Sequence, residues 1–234
     1  QPAPMIPWQQ VEQAGYSLGE ALPSFVAEAM RIKNVEAVRD GVVYIGNETD
    51  GRFTPLGTGF LISYSYDEDH RFTFVVTAAH VIAKLPGETV YVRLNRKAGD
   101  ASSVAVPGLR ILGWEENDIA LIPLDIGADV YDCKLLNLSE SVLEKARAKF
   151  DGLALGDEVY AIGLYTSHHG LVRNIPVVRI GHIALMPGEP VRGFGGRYVS
   201  AYLIELRTIA GLSGSPVYLN LPPIRVKDAS IQHL

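Results

Sequence analysis

Three side chains of this sequence could together break an acyl bond. Ser213 stands in Gly211-Leu212-Ser213-Gly214-Ser215-Pro216, a run of small residues that suits a tight turn. His80 follows the apolar run Phe74-Val75-Val76-Thr77-Ala78-Ala79, and Asp118 opens a second one, Ile119-Ala120-Leu121-Ile122. Acyl transfer needs a nucleophile, a proton carrier and a place for developing negative charge. A serine hydroxyl is too weak an acid to ionise at neutral pH. A neighbouring imidazole must take its proton as the new bond forms, then hand that proton to the leaving group. A carboxylate on the other ring nitrogen fixes the tautomer and stabilises the imidazolium. Separations of 38 and 95 residues exclude one helix or one hairpin as the carrier of all three. A tertiary fold has to assemble them.

The elements that would do so are mostly strands. Gly41 precedes Val42-Val43-Tyr44-Ile45, and further strands are predicted at 57–63, 71–78, 89–94, 103–106, 109–114 and 118–123. Gly, Pro, Asn or Asp separates most of them, which argues for an antiparallel barrel over a parallel sheet. Residues 124–156 interrupt this pattern. Within them Ser141-Val142-Leu143-Glu144 matches a capping box, and Leu143, Ala146 and Phe150 continue a helical face up to Gly152. Strand pattern resumes at 158–162, 173–186, 198–206 and 215–219. Before the first strand, residues 1–21 read as an extended arm. Ser24 then offers an N-cap for an amphipathic helix at about 23–33, packed on the outside of the fold. The divisions expected are 1–40 for arm and helix, 41–125 for a first barrel, 126–156 for a linker with a short helix, and 157–234 for a second barrel.

Composition narrows the function classes. The chain has 234 residues, 47% hydrophobic and 20% charged, enough for one large domain or two small ones. A net charge of −5 gives no reason to expect nucleic acid or an anionic membrane as partner. No apolar run approaches the ~20 residues of a membrane span. Cys133 is the single cysteine, so no intramolecular disulfide forms, and it reads as a small apolar filler. That fits a cytoplasmic chain or a lineage that does without disulfides. The polar tip Tyr66-Asp67-Glu68-Asp69-His70-Arg71 reads as a solvated turn, with nothing to fix a cation's coordination. Adjacent His168 and His169 would point to opposite faces of a strand, and His182 reads as a packed or edge residue. No metal is assigned.

Thr77-Ala78-Ala79-His80, Asn117-Asp118-Ile119-Ala120-Leu121 and Gly211-Leu212-Ser213-Gly214-Ser215-Pro216 resemble, in this order, the signature segments of trypsin-like serine proteases. Gly57-Thr58-Gly59-Phe60-Leu61-Ile62 resembles the strand before the histidine segment in the bacterial branch. Ser215 gives the nucleophile segment a likeness to glutamyl endopeptidases. The resemblance covers roughly Gly41 to Leu219. It implies an all-β fold of two antiparallel six-stranded barrels, with the active site in the cleft between them. To these the sequence adds an N-terminal helix and an inter-barrel helix.

The resemblance also implies roles. His80, Asp118 and Ser213 would be the triad, the backbone N–H groups of Gly211 and Ser213 the oxyanion hole, and a polypeptide the substrate. No cofactor is needed. Arg207, six residues before the nucleophile, falls at the base of the specificity pocket, where with Thr208 it could attract an acidic side chain. Leu212 cannot ion-pair with a freed α-amino group, so the oxyanion loop would be ordered by packing, substrate or a partner. Two rivals stay open: a trypsin-like fold that binds a peptide or partner without cleaving it, and a hydrolase of esters. Only 21 residues follow Ser213, which suggests a second barrel lacking a strand, or a compact variant in which His233 reaches the specificity pocket.

Overall fold

The fold is mostly β. In the computed structural model the described residues are 8–25, 36–67, 70–127, 129–139, 153–193, 196 and 198–220. A first sheet is built from β1 (Val42–Thr49), β2 (Arg52–Ser65), β3 (Arg71–Thr77), β4 (Thr89–Asn95), β5 (Ala101–Pro107), β6 (Leu112–Trp114) and β7 (Ile119–Leu124). Its order is β5-β4-β1-β2-β3-β7-β6. The long β2 is the axle of this sheet. Its first part, Arg52 to Phe60, pairs with β1, and its second, Phe60 to Ser65, pairs with β3.

The apolar runs in the sequence have a physical cause. Both faces of this sheet are buried, so its central strands read as continuous rather than alternating hydrophobic segments. Val43, Ile45, Leu61, Val75 and Ile122 point to one side, where the sheet folds over Val90, Val92, Leu94 and Val106. Val42, Phe60, Ile62, Phe74, Val76 and Leu121 point to the other. That second side is covered by a helix, a short strand and the other half of the molecule. The helix is α1 (Trp8–Phe25), which contributes Ala14 and Leu18. The short strand is β8 (Leu136–Ser139), which contributes Leu138 and runs parallel to β2 at Ile62–Ser65.

The second sheet has β9 (Glu158–Gly163), β10 (Val177–Leu185), β13 (Leu203–Leu206) and β14 (Val217–Leu219), in the order β13-β10-β9-β14. A small ribbon, β11 (Val191–Arg192) with β12 (Tyr198–Val199), lies in the connection from β10 to β13. One face of the second sheet carries Val159, Ile183 and Leu219 in a core of its own. From the opposite face Ile162 and Tyr218 enter the core of the first half. The two halves are thus joined by shared apolar packing, not only by chain.

Several expectations need correction. From Trp8 the stretch expected to be an extended arm is helical, as α1, described to Phe25; the rest of the helix expected at about 23–33 lies outside the described residues. Val11, Ala14 and Leu18 form the inward stripe of α1, and a Cβ on Gly15 would run into Leu112. Glycine costs helix propensity but allows this close approach, and packing wins. A one-turn helix, α2 (Glu36–Arg39), precedes β1. β8 lies in the stretch expected to lack strands; four residues are too few to show a period. Its parallel pairing departs from an all-antiparallel barrel. The strand expected at 109–114 opens as a 3-10 turn over Gly108–Arg110, and that at 198–206 is broken between Val199 and Leu203. Among the described residues β5 and β6 end the first sheet unpaired with each other, and neither sheet closes on itself. The helix expected at 141–150 and the final segment 221–234 lie outside the described residues.

Candidate active site

The site is assembled at the junction of the halves. His80 lies in α3 (Ala79–Ala83), a single turn entered from the end of β3. This short helix has no side-chain cap of its own. Asp118 supplies one. Its backbone carbonyl accepts from Ala79 N at 3.1 Å, and Oδ1 accepts from His80 N at 2.8 Å. Those are two of the N–H groups that a helix start leaves unsatisfied. The other oxygen, Oδ2, lies 2.6 Å from His80 Nδ1. One aspartate therefore fixes both the backbone and the ring of the histidine. It can do so because of its own conformation. Asp118 has φ +52°, a left-handed position that aspartate tolerates better than most side chains. The turn Glu115–Asp118 between β6 and β7 produces it, with Asp118 N donating to Glu115 O at 3.3 Å. Both side chains keep some access to solvent, 15% for His80 and 34% for Asp118.

Ser213 arrives from the second half, on the turn that leads into β14, and it is exposed. The turn is pinned to β2. Thr58 N donates to Ser213 O at 2.9 Å, and Thr58 Oγ1 donates to Gly211 O at 2.7 Å. The same hydroxyl accepts from Leu164 N at 2.7 Å. Thr58 O in turn accepts from Thr77 Oγ1 at 2.7 Å, three residues before His80. Glycine is required on both sides of Ser213. Gly211 and Gly214 have φ +103° and +81°, and a Cβ on Gly214 would fall on Thr58 O, Thr77 Oγ1 and Ala78 N. The Ser213 turn and the histidine segment thus touch through backbone. Among the described residues the N–H groups of Gly211 and Ser213 have no hydrogen-bond acceptor.

Thr58 is the residue that motif reading passes over. The signal for it was present: a hydroxyl between two glycines in an otherwise apolar strand. Gly57 lets Val81 and Ser213 O come close, and Gly59 does the same for Val75 and Ile45. A second tie holds the segment after β9. Arg93 on β4 is buried and donates to Gly170 O at 3.1 Å, Asn174 Oδ1 at 3.1 Å and Leu171 O at 3.2 Å. Asn174 Nδ2 returns a bond to Arg93 O at 2.7 Å. At its start the same segment bonds the lead-in to Ser213, through Thr166 N to Ala210 O at 3.2 Å.

The other candidates fall as follows. Arg207 and Thr208 are exposed just past the end of β13. His168 closes a 3-10 turn, Thr166–His168, so the strand geometry expected for His168 and His169 does not apply. His182 is exposed on β10, paired across strands with Glu158 and Glu205. The Glu158 carboxyl is held below its usual range by hydrogen bonds from Asn220 and Tyr160. His70 Nδ1 sits 2.7 Å from Asp67 at the hairpin tip. Among the described residues no cluster of three or more metal-ligating side chains forms, and no helix is long and apolar enough to cross a membrane. Cys133 packs partly buried against the core of the first sheet, and burial pushes its thiol up to about 11.

Residues 57–220, well over half of the chain, match the family model of the trypsin-like peptidase domain. The chain belongs to that family. Among solved structures it is similar to the MamO protease domain from Magnetospirillum magneticum in its apo form. The TM-score is 0.52 and the identity 16%, over 80% of this chain and 84% of that one. It is also similar to Deg5, with a TM-score of 0.50 and 21% identity, over 79% of this chain and 76% of that one. At these identities the likeness is one of fold. No curated protein matches the sequence. The family match begins at Gly57 and ends at Asn220, so in this trypsin-like peptidase domain α1 and β1 lie outside the matched region.

Proposed function

We propose that the chain is a serine endopeptidase acting through His80, Asp118 and Ser213, with the two sheets as the halves of a chymotrypsin-like pair of barrels. Ser213 Oγ attacks the scissile carbonyl while His80 Nε2 takes its proton. The imidazolium is stabilised by Asp118 through Nδ1–H, and it then protonates the leaving amine. Water repeats the sequence on the acyl-enzyme. The N–H groups of Gly211 and Ser213 receive the oxyanion, and one such donor is worth about 3 kcal/mol in the transition state. The observation that carries the reading is the 2.6 Å contact between Asp118 Oδ2 and His80 Nδ1 beside the nucleophile turn. The two unpaired N–H groups of that turn support it.

A fluorophosphonate probe tests it. Labelling of the intact protein is expected, and Ser213→Ala should abolish it. A folded protein that takes no label would instead be a binding module. Comparing turnover of matched peptide and ester substrates separates an endopeptidase from an esterase.

A further inference from the structure

Cross-strand partners share a face of a sheet, so the pairing of the second sheet sorts its residues into two sides. The side with buried Val159, Ile183 and Leu219 is apolar along every described strand position except one, Arg179 on β10. Arg179 pairs with Ala161, and Ala161 pairs with Val217 at the start of β14. Two strand spacings, ~10 Å, therefore separate it from the strand that follows the nucleophile. On its other flank Gly181 pairs with Leu206, the last residue of β13. The segment from Arg207 to Ser213 thus leaves the sheet beside Arg179.

Among the described residues the charge there is unanswered. Arg179 Nε is sealed from solvent and has no hydrogen-bond partner among the described residues, and no described carboxylate forms an ion pair with the side chain. Other arginines of the chain are engaged. Arg93 binds Gly170, Leu171 and Asn174, Arg96 binds Asp100, and Arg173 binds Asp132. A sequestered guanidinium N–H without an acceptor is costly to maintain. Its planar fork matches a carboxylate in two parallel bonds. Arg207, the residue the sequence puts forward for this task, is exposed and past the end of its strand.

We propose that Arg179 is the carboxylate-binding residue of the substrate site, and that the domain selects peptides presenting a Glu or Asp side chain to the interior of the second sheet. The proposal rests on the reading of the Ser213 cleft as a peptide site. It does not rest on turnover.

The test therefore uses binding. Fluorescent peptides with amidated ends, identical except for Glu, Gln or Lys at one scanned position, are titrated into Ser213→Ala protein and followed by anisotropy. At one position the Glu peptide should bind at least tenfold tighter than the Gln peptide. Arg179→Met, which keeps the packing of the stem and removes the charge, should erase that difference with the melting temperature retained. Arg207→Ala should leave it in place. Equal binding of Glu and Gln peptides throughout, discrimination that survives Arg179→Met or disappears with Arg207→Ala, or no binding of any peptide by the folded protein overturns the proposal. Probe labelling of the wild type is read separately. A protein that discriminates Glu from Gln but takes no fluorophosphonate overturns the peptidase reading and keeps this one, and the opposite pair of results does the reverse.

Discussion

At the scale of residues, Asp118 carries most of the local design. Its carbonyl and both carboxylate oxygens are engaged with Ala79 and His80, and its left-handed φ aims them there. An asparagine in its place would keep that backbone, because asparagine tolerates the same region. It would also keep an acceptor for His80 N, but its amide N–H₂ group would face Nδ1 and favour the wrong tautomer. Asp118→Asn should therefore fold normally and lose about four orders of magnitude in kcat. A loss under tenfold in a peptide or ester assay would remove Asp118 from the mechanism. Cys133 gives a second outcome. Its thiol lies near 11 against an ordinary 9.0, so at pH 8 about a hundredfold less thiolate is present than on a free cysteine. The folded state disfavours the thiolate, so this contribution to stability is complete below pH 9.0 and fades as pH rises through about 11. Alkylation by iodoacetamide at pH 8 should be far slower in native protein than in urea; equal rates would contradict the burial. The segments around His80, Asp118 and Ser213 could be picked out one by one as candidates because each motif is local, whereas the bonds Thr58 makes and the setting of Arg179 come from partners far off in sequence.

At the scale of elements, legibility followed period. Strands of six residues or more with a buried core face were recognisable as apolar runs. Two elements were not. In α1 the inward stripe of Val11, Ala14 and Leu18 is interrupted by Gly15, and propensity argued against a helix that tertiary packing imposes. In β8 Leu136 and Leu138 alternate, but the strand is set by its parallel partner β2, far off in sequence. The segment between β9 and β10 belongs to the same class. No element was expected over residues 164–172, yet Arg93, 77 residues from Gly170, holds the segment by three bonds. A bond from a charged donor is worth about 1.5–3 kcal/mol, and its loss here also strands Asn174 Oδ1. Arg93→Ala should cost roughly 3 kcal/mol in urea unfolding. Hydrogen exchange should show protection lost selectively at the Asn174 amide, which donates to Asn95 Oδ1 beside Arg93. A uniform loss of protection across the first sheet would mean that Arg93 supports the sheet and not the segment.

At the scale of the molecule, the question is what makes two sheets one site. Apolar packing of Ile162 and Tyr218 into the first core gives the halves a common interface, but it has little directionality. The register comes from Thr58. Its N–H and hydroxyl are spent on the junction, on Ser213 O, Gly211 O and Leu164 N, while its carbonyl accepts from Thr77 Oγ1 within the first sheet. The side chain is fully buried, so none of these groups can turn to water instead. Thr58→Val keeps the shape and the β-branched strand preference, and it removes only the hydroxyl. Leu164 N–H and Gly211 O would then be left without that partner, at about 1–3 kcal/mol for each buried group. The expected loss of stability is therefore about 2–6 kcal/mol, larger than a methyl-for-hydroxyl exchange on an exposed strand gives. Because Gly211 O is one of the two orphans, the effect should not stop at stability. Freed at that carbonyl, the peptide units around Gly211 can reorient, and the N–H groups proposed as oxyanion donors lose their fixed direction. Among molecules that remain folded, kcat should fall more than tenfold while KM changes little, since the donors act on the transition state and not on the bound peptide. The His80–Asp118 contact is made on the other side of the junction and should survive, seen as a retained low-field Nδ1 proton resonance. A variant that loses stability but keeps its kcat would show that Thr58 joins the halves without setting the geometry of the nucleophile turn.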